Sequence, residues 1–341
     1  MRKSLLLLGV AVAALASCTQ NEVLDIAESN VIKFDNAFVG KATKAVTSPE
    51  LTTDNIEDMY VFAVDETDGK VFDAQPKNVY KVEGTSEWSY DNLVAWNDAK
   101  SYEFIAYAGK NLDNSVTYDN DKKALKFENI TVNGQNQFDL LYSNLVERTN
   151  GGSLVKDPIE FSFDHLLSMV QFTLKSGFGS TTKVTITNFK FYGLRTTESY
   201  DATADSPAWT ATSVVNTDGN TDFTVAPGEK EDVAQSGVGD VFNSWVVIPQ
   251  KNTETASVAM VSFHAKVTDG ASITEEKDFV AKIPSITWEK GNRYNYIFTI
   301  TPKNMGIADK YITFEAPTVT EWQDENLAVD GGTSSTEGVE F

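Results

Sequence analysis

The heptapeptide Asn295-Tyr296-Ile297-Phe298-Thr299-Ile300-Thr301 places Tyr296, Phe298 and Ile300 on one face. A period of two marks a strand with one buried face, because successive side chains of extended backbone point to opposite sides. Short runs rich in Val, Ile, Phe, Tyr and Thr recur outward from it: Ile32-Lys33-Phe34, Met59 to Val64, Tyr102 to Ala108, Ile159 to Phe163 and Met169 to Leu174. Further runs are Val184 to Tyr192, Trp245 to Ile248, Val258 to Val267 and Tyr311 to Phe314. Strand after strand without an intervening helical period predicts an all-β fold of antiparallel sandwiches. Asp68-Gly69, Asn133-Gly134, Asn150-Gly151, Asp218-Gly219 and Asp269-Gly270 supply turns, since such pairs tolerate the positive φ of tight hairpins.

Asn150-Gly151-Gly152-Ser153 and Lys156-Asp157-Pro158 read as a mid-chain loop, which puts a boundary just after the next strand, near His165. The expected organisation is two consecutive antiparallel β-sandwiches, residues 31–165 and 166–325, followed by a low-complexity tail at 326–341. The length of 341 residues suits two domains of ~150 each.

The chain begins with Arg2 and Lys3, continues through an apolar stretch from Leu5 to Leu15, and closes on Ala16-Ser17-Cys18. That is the layout of a secretory signal at 1–17, too short in its apolar part to span a bilayer, which needs ~20 residues. Because the small-residue site ends on Cys18, the only cysteine, the pattern resembles a bacterial lipobox. The resemblance implies that Cys18 becomes the acylated N-terminus, an outer-membrane lipid anchor followed by a polar tether at 18–30. Replacing Cys18 with alanine should abolish acylation and release the protein from the membrane fraction. Continued labelling of that variant by a radioactive fatty acid would overturn the assignment.

With its one cysteine at the lipid site, the exported fold has no disulfide and must be held by its core. The formal net charge is −21, and loss of Arg2 and Lys3 with the signal makes it two units more negative. So acidic a surface argues against nucleic acid and anionic lipid as partners. The two histidines, His165 and His264, lie far apart in the chain and give little material for a zinc site. Asp218-Gly219-Asn220-Thr221-Asp222 faintly resembles a calcium loop but lacks its glycine and distal glutamate, so a hairpin loop is expected and no metal. No Ser-His-Asp order, phosphate-binding loop or dinucleotide fingerprint is present, so neither catalytic residues nor a cofactor are expected. His165, between Phe163 and Leu166, reads as a packed histidine.

Four stretches carry a more specific message. Phe161 to Leu174 holds strand, His165 and strand in succession; Trp245-Val246-Val247-Ile248-Pro249-Gln250 is an apolar strand ended by Pro-Gln. Trp288-Glu289-Lys290-Gly291-Asn292-Arg293-Tyr294 leads into a late strand, and Phe314 to Trp322 closes the series. In this order, and with the lipobox, they resemble the fimbrillin family of Bacteroidota, the lipoprotein pilins of type V pili. The resemblance implies transthyretin- or immunoglobulin-like sandwiches, a surface fimbrium supporting adhesion, and other pilin subunits as partners in a homo- or hetero-polymer.

It also implies a mechanism. A protease cuts the exported precursor after a basic residue, the first strand leaves, and a neighbour's strand fills the groove by donor-strand complementation. The matching first strand here is Val31 to Val39, with Ile32, Phe34 and Phe38 on one face, interrupted by Asn36. Cleavage between Lys44 and Ala45 would fall where the family typically has Thr-Arg-Ala, but an arginine-specific protease would not cut after lysine. The other reading is an uncut solvated loop at 40–46. After Trp322 only Leu327/Val329 and Val339/Phe341 alternate, a poor donor against ~6–10 alternating residues. An accessory, anchor or tip-proximal subunit is therefore expected rather than a stalk subunit, the alternative being that the closing strand before Trp322 swings out as the donor. The rival function is a surface lipoprotein that binds host glycan, with Trp96 and Trp209, in polar surroundings, as exposed stacking platforms and Trp245 and Trp288 as core.

Overall fold

The computed structural model describes residues 30–39, 50–67, 69–150, 154–211, 223–224, 240–251, 259–270, 272–284, 286–306 and 315–321. Among these the chain is nearly all strand. The first half holds β1 (Phe34–Val39), β2 (Asp58–Asp65), β3 (Lys77–Lys81), β4 (Trp88–Ser89), β5 (Tyr102–Ala108), β6 (Val116–Asp119) and β7 (Ala124–Thr131). It closes with β8 (Leu141–Ser143), β9 (Val146–Arg148) and β10 (Ile159–His165). Then come β11 (Ser168–Ser176), β12 (Thr182–Tyr192), β13 (Thr197–Asp201), β14 (Ala208–Ala211), β15 (Phe223–Thr224) and β16 (Asp240–Val247). The last strands are β17 (Met260–Asp269), β18 (Ser272–Lys282), β19 (Asn292–Ile300) and β20 (Thr318–Glu321), with one short helix, α1 (Pro302–Met305).

The largest sheet runs β1-β10-β8-β5-β2-β3-β4, with β9 also on β5; the others run β14-β13-β7-β6, β16-β11-β19-β20 and β15-β12-β17-β18. Alternation becomes burial as expected. In β10, Ile159, Phe161, Phe163 and His165 point inward while Glu160, Ser162 and Asp164 face water. In β19, Tyr294, Tyr296, Phe298 and Ile300 are buried in the same way. Trp245 and Trp288 are core residues, and the Trp288 indole donates to the Tyr296 hydroxyl at 2.9 Å. The expected run Tyr311 to Phe314 lies outside the described residues, as do the turns Asn150-Gly151 and Asp218-Gly219 in whole or in part.

Two ladders depart from the antiparallel rule: β1 lies parallel to β10, and β11 parallel to β19. Parallel partners need a long crossover rather than a hairpin, so no local pattern announces them. Hydrogen bonding also crosses residue 165. Strand β13 pairs with β7, setting Tyr200 opposite Phe127, and Trp209 packs on Tyr200 at 5.4 Å. Leu166, Leu167, Met169, Val246 and Ile248 share one apolar cluster with Phe62, Tyr107 and Phe127 of the first half.

The corner between β10 and β11 is closely held. Leu166 N–H donates to Leu140 at 2.8 Å, the Trp209 indole to the Leu166 carbonyl at 2.8 Å, and Gly291 N–H to Leu167 at 2.8 Å. The Ser168 hydroxyl donates to the Glu289 carbonyl at 2.7 Å. Gly291 sits at φ +70°, a left-handed turn that glycine adopts at no steric cost. Gln137 completes the contact between halves, accepting from Val246 N–H at 2.8 Å and donating to its carbonyl at 3.0 Å, as a neighbouring strand would.

Candidate functional site: the groove filled by the first strand

The first segment changes partner part-way along. Val31 bridges Ala95, Ile32 N–H donates to Val94 at 2.9 Å, and Trp96 N–H donates to Asn30 at 2.8 Å. From Lys33, whose carbonyl accepts from Ile159 N–H at 2.8 Å, the chain follows β10 instead. Phe34 is the hub of this half. Its ring meets Tyr90 edge-on at 5.7 Å, stacks on Phe161 at 6.2 Å, meets Phe104 edge-on at 6.3 Å and tilts against Phe72 at 6.4 Å. Each such pair adds about 0.5–1.5 kcal/mol beyond the apolar area it buries.

Tyr90 holds the backbone as well as the ring, donating its hydroxyl proton to the Ile32 carbonyl at 2.9 Å and accepting from Val94 N–H at 3.2 Å. Burial pushes its phenol up to about 12, so the neutral donor persists well into alkali. The contribution of Tyr90 to stability is therefore intact below the ordinary tyrosine value and is lost as pH rises through the folded one.

At the far end, Val39 N–H donates to the Thr53 hydroxyl at 3.0 Å. The two flanks of 40–49, the stretch that carries Lys44 and Ala45, are thereby drawn together. The C-terminal flank is fastened independently: buried Glu50 pairs with Arg293 at 3.2 Å, and Leu51 N–H donates to Asp139 at 3.0 Å. His165 packs there too, with Nδ1 2.8 Å from Asp139 Oδ2 in a buried pair. Cys18, Lys44 and Ala45 themselves lie outside the described residues.

Two expectations about side-chain placement are corrected. Phe38 does not share the face of Ile32 and Phe34: it is 47% exposed, and Ala37 and Val39 are buried instead. The cause is a bulge, since Asp35 lies opposite Glu160 but Ala37, not Asn36, lies opposite Phe161. Trp96 is not an exposed platform either. It is 4% exposed, packed edge-on against Tyr102 at 5.1 Å and Phe104 at 5.8 Å, and offers no face to a sugar.

Trp209 is half-buried and committed to the Leu166 carbonyl through its indole N–H. Trp209→Phe should therefore cost about 0.5–1.5 kcal/mol of stability, the net worth of one such hydrogen bond, measurable by urea unfolding. No change in the unfolding midpoint would show that this bond does not matter.

Of the remaining groove residues, Phe72, Tyr90 and Thr53 carried no motif in the sequence. The apolar run Tyr102 to Ala108 pointed to Phe104, and the alternation of Ile159 to Phe163 together with the Phe161 to Leu174 stretch pointed to Phe161. No group of three or more His, Cys, Asp or Glu suited to a metal occurs among the described residues, and none of their helices is long and apolar enough to cross a membrane.

The chain is similar to several solved structures. A fimbrial protein from Bacteroides vulgatus is 16% identical, with 86% of this chain and 99% of that chain covered at a TM-score of 0.50, a likeness of fold. A proposed cell adhesion protein from Bacteroides uniformis is 14% identical over 86% of this chain and 98% of that one, at a TM-score of 0.47. A fimbrial assembly protein from Parabacteroides distasonis is 15% identical over 84% and 100%, at 0.38. No curated protein matches. The family model described as fimbrillin-like matches residues 43–322, most of the chain. The chain therefore belongs to the fimbrillin-like family, whose members are structural fimbrial proteins rather than enzymes.

Proposed function

We propose that this fimbrial subunit is made as a precursor whose own first strand, residues 31–39, is removed after cleavage between Lys44 and Ala45, so that a strand from another subunit takes its place. The observation that carries this reading is the placement of Phe34. A segment at the chain's start supplies the hub of an aromatic core, yet it is joined to the rest through a stretch whose flanks are pinned separately, by Thr53 on one side and by Arg293 and Asp139 on the other. Cutting between the pins leaves the downstream end anchored and the upstream strand held by non-covalent contacts alone.

Attachment to the outer membrane through Cys18 belongs to the same proposal, as do exposure at the cell surface and division into units near 31–165 and 166–325. The junction at Leu166 to Ser168 supports a stiff connection between those units, because its backbone groups are bonded from both sides.

Losing the strand withdraws Ile32, Phe34 and their neighbours from the core, ~1.5–3 kcal/mol for each large side chain, and opens the β10 edge. Purified protein cut after Lys44 with a lysine-specific protease should therefore form SDS-resistant ladders or fibres. A cut protein that stays monomeric with an unchanged thermal midpoint would show that 31–39 is dispensable.

A further inference from the structure

We propose that the groove vacated by residues 31–39 selects its occupant by spacing. It takes an extended segment parallel to β10 with an aromatic ring at one position, a bulky aliphatic residue two before it, a small residue three after it and a β-branched residue five after it. This rests on the strand-replacement reading and states what kind of strand can serve.

The resident strand is the template. Ile32, Phe34, Ala37 and Val39 are 0, 5, 3 and 5% exposed and belong to one core cluster, while Asn36 and Phe38 face water. A regular strand would bury every second residue; this one buries the third residue after its aromatic anchor because Asn36 is an extra residue in the ladder with β10. The spacing matters because a slip of one residue sends every later side chain to the opposite face.

The pocket for the anchor is walled by Phe72, Tyr90, Phe104 and Phe161, which leaves room for one ring. Ala37 lies opposite Phe161, the residue that stacks on Phe34, so a small side chain fits there. The Tyr90 hydroxyl binds a main-chain carbonyl, that of Ile32, and so fixes the depth of the strand without reading its sequence. The same spacing of bulky aliphatic, aromatic and β-branched residues recurs at Ile312, Phe314 and Val319, with proline in place of the small residue at 317 and an acid after the aromatic residue in both places, Asp35 and Glu315. A second copy of this chain therefore carries one segment that meets three of the four requirements, and it would have to leave β19, with which Thr318–Glu321 pairs, to act as a donor.

The test uses the full chain cut after Lys44 and synthetic peptides, with affinity read by fluorescence anisotropy and thermal midpoint. The peptide of residues 31–39 should bind and restore the midpoint. Deleting Asn36 from it should weaken binding at least about tenfold, and Phe34→Ala at least about a hundredfold, whereas Phe38→Ala should leave binding within about twofold. The peptide of residues 311–319 should bind within about tenfold of the native one, since three of its four buried positions match. Equal binding of the peptide lacking Asn36 would overturn the proposal. If the upstream fragment stays on the cut protein, strand replacement itself fails. Spacing is then read in the uncut chain: deleting Asn36 should lower its midpoint by several degrees, and an unchanged midpoint would refute the rule.

Discussion

Phe34→Asp is expected to lower the thermal midpoint of the uncut chain by about 10–20 °C. Removing a core Phe to Ala typically costs about 3–5 kcal/mol, from lost transfer energy and the cavity left behind. Aspartate adds a carboxylate among Phe72, Tyr90, Phe104 and Phe161, and Lys77, whose ammonium lies 6.0 Å from the Tyr90 ring, is already paired with Asp73 at 2.7 Å. A lone buried charge is dearer still, so the strand is expected to leave the groove rather than keep the charge inside. At about 2–4 °C per kcal/mol for a domain of 150–250 residues, the shift falls in the stated range. Phe34→Leu, which keeps most of the volume, should cost far less, and Phe38→Asp almost nothing because Phe38 is exposed. Calorimetry on the three variants checks the order; a Phe38→Asp shift as large as that of Phe34→Asp would contradict the bulged register.

Gly109→Ala should be the most damaging small substitution in the first half. Gly109 follows β5 at φ +118°, a region almost closed to residues with a Cβ, and a Cβ built there would lie 1.8 Å from the Asp139 carbonyl oxygen. Backbone strain of this kind costs about 1–3 kcal/mol, and forced overpacking about 1–3 more. The displaced segment is the one that presents Asp139 to Leu51 N–H and to His165. The variant should therefore unfold at least about 3 kcal/mol more easily in urea and lose protection of the Leu51 amide in hydrogen exchange. Gly84→Ala is the control, since nothing lies within 4 Å of a Cβ there and only its φ of +75° opposes the change. Equal effects at the two glycines would remove the close approach from the explanation.

Much of the fold was legible because period-two alternation survives any tertiary arrangement that buries one face. β10, β12 and β19 were readable on that ground, β2, β5 and β11, buried on both faces, as apolar runs, and the hairpin at Asp269-Gly270 from its turn pair, where Gly270 has φ +62°. Short strands such as β4 and β8 were not, because two or three residues hold too little pattern to separate from a loop. Within the groove, Ile32 and Phe34 were readable as buried. Phe38 was misplaced because alternation assumes an unbroken ladder, and a bulge leaves no mark in composition. Trp96 looked exposed because Asn97 and Asp98 beside it are polar; its ring is buried by Tyr102 and Phe104, close in sequence but folded over it by the turn before β5.

The sequence by itself determined that the chain folds as strands, which faces of its longer strands meet a core, and, through ordered motifs, to which family it belongs. These follow from local backbone geometry and apolar periodicity, which are properties of neighbouring residues. Only the tertiary structure decided that β1 runs parallel to β10, that Asn36 bulges, that β13 crosses to β7, and that Glu50 reaches Arg293. Each of these joins residues far apart in the chain, and partners and register are then chosen by whole surfaces packing together rather than by any local pattern.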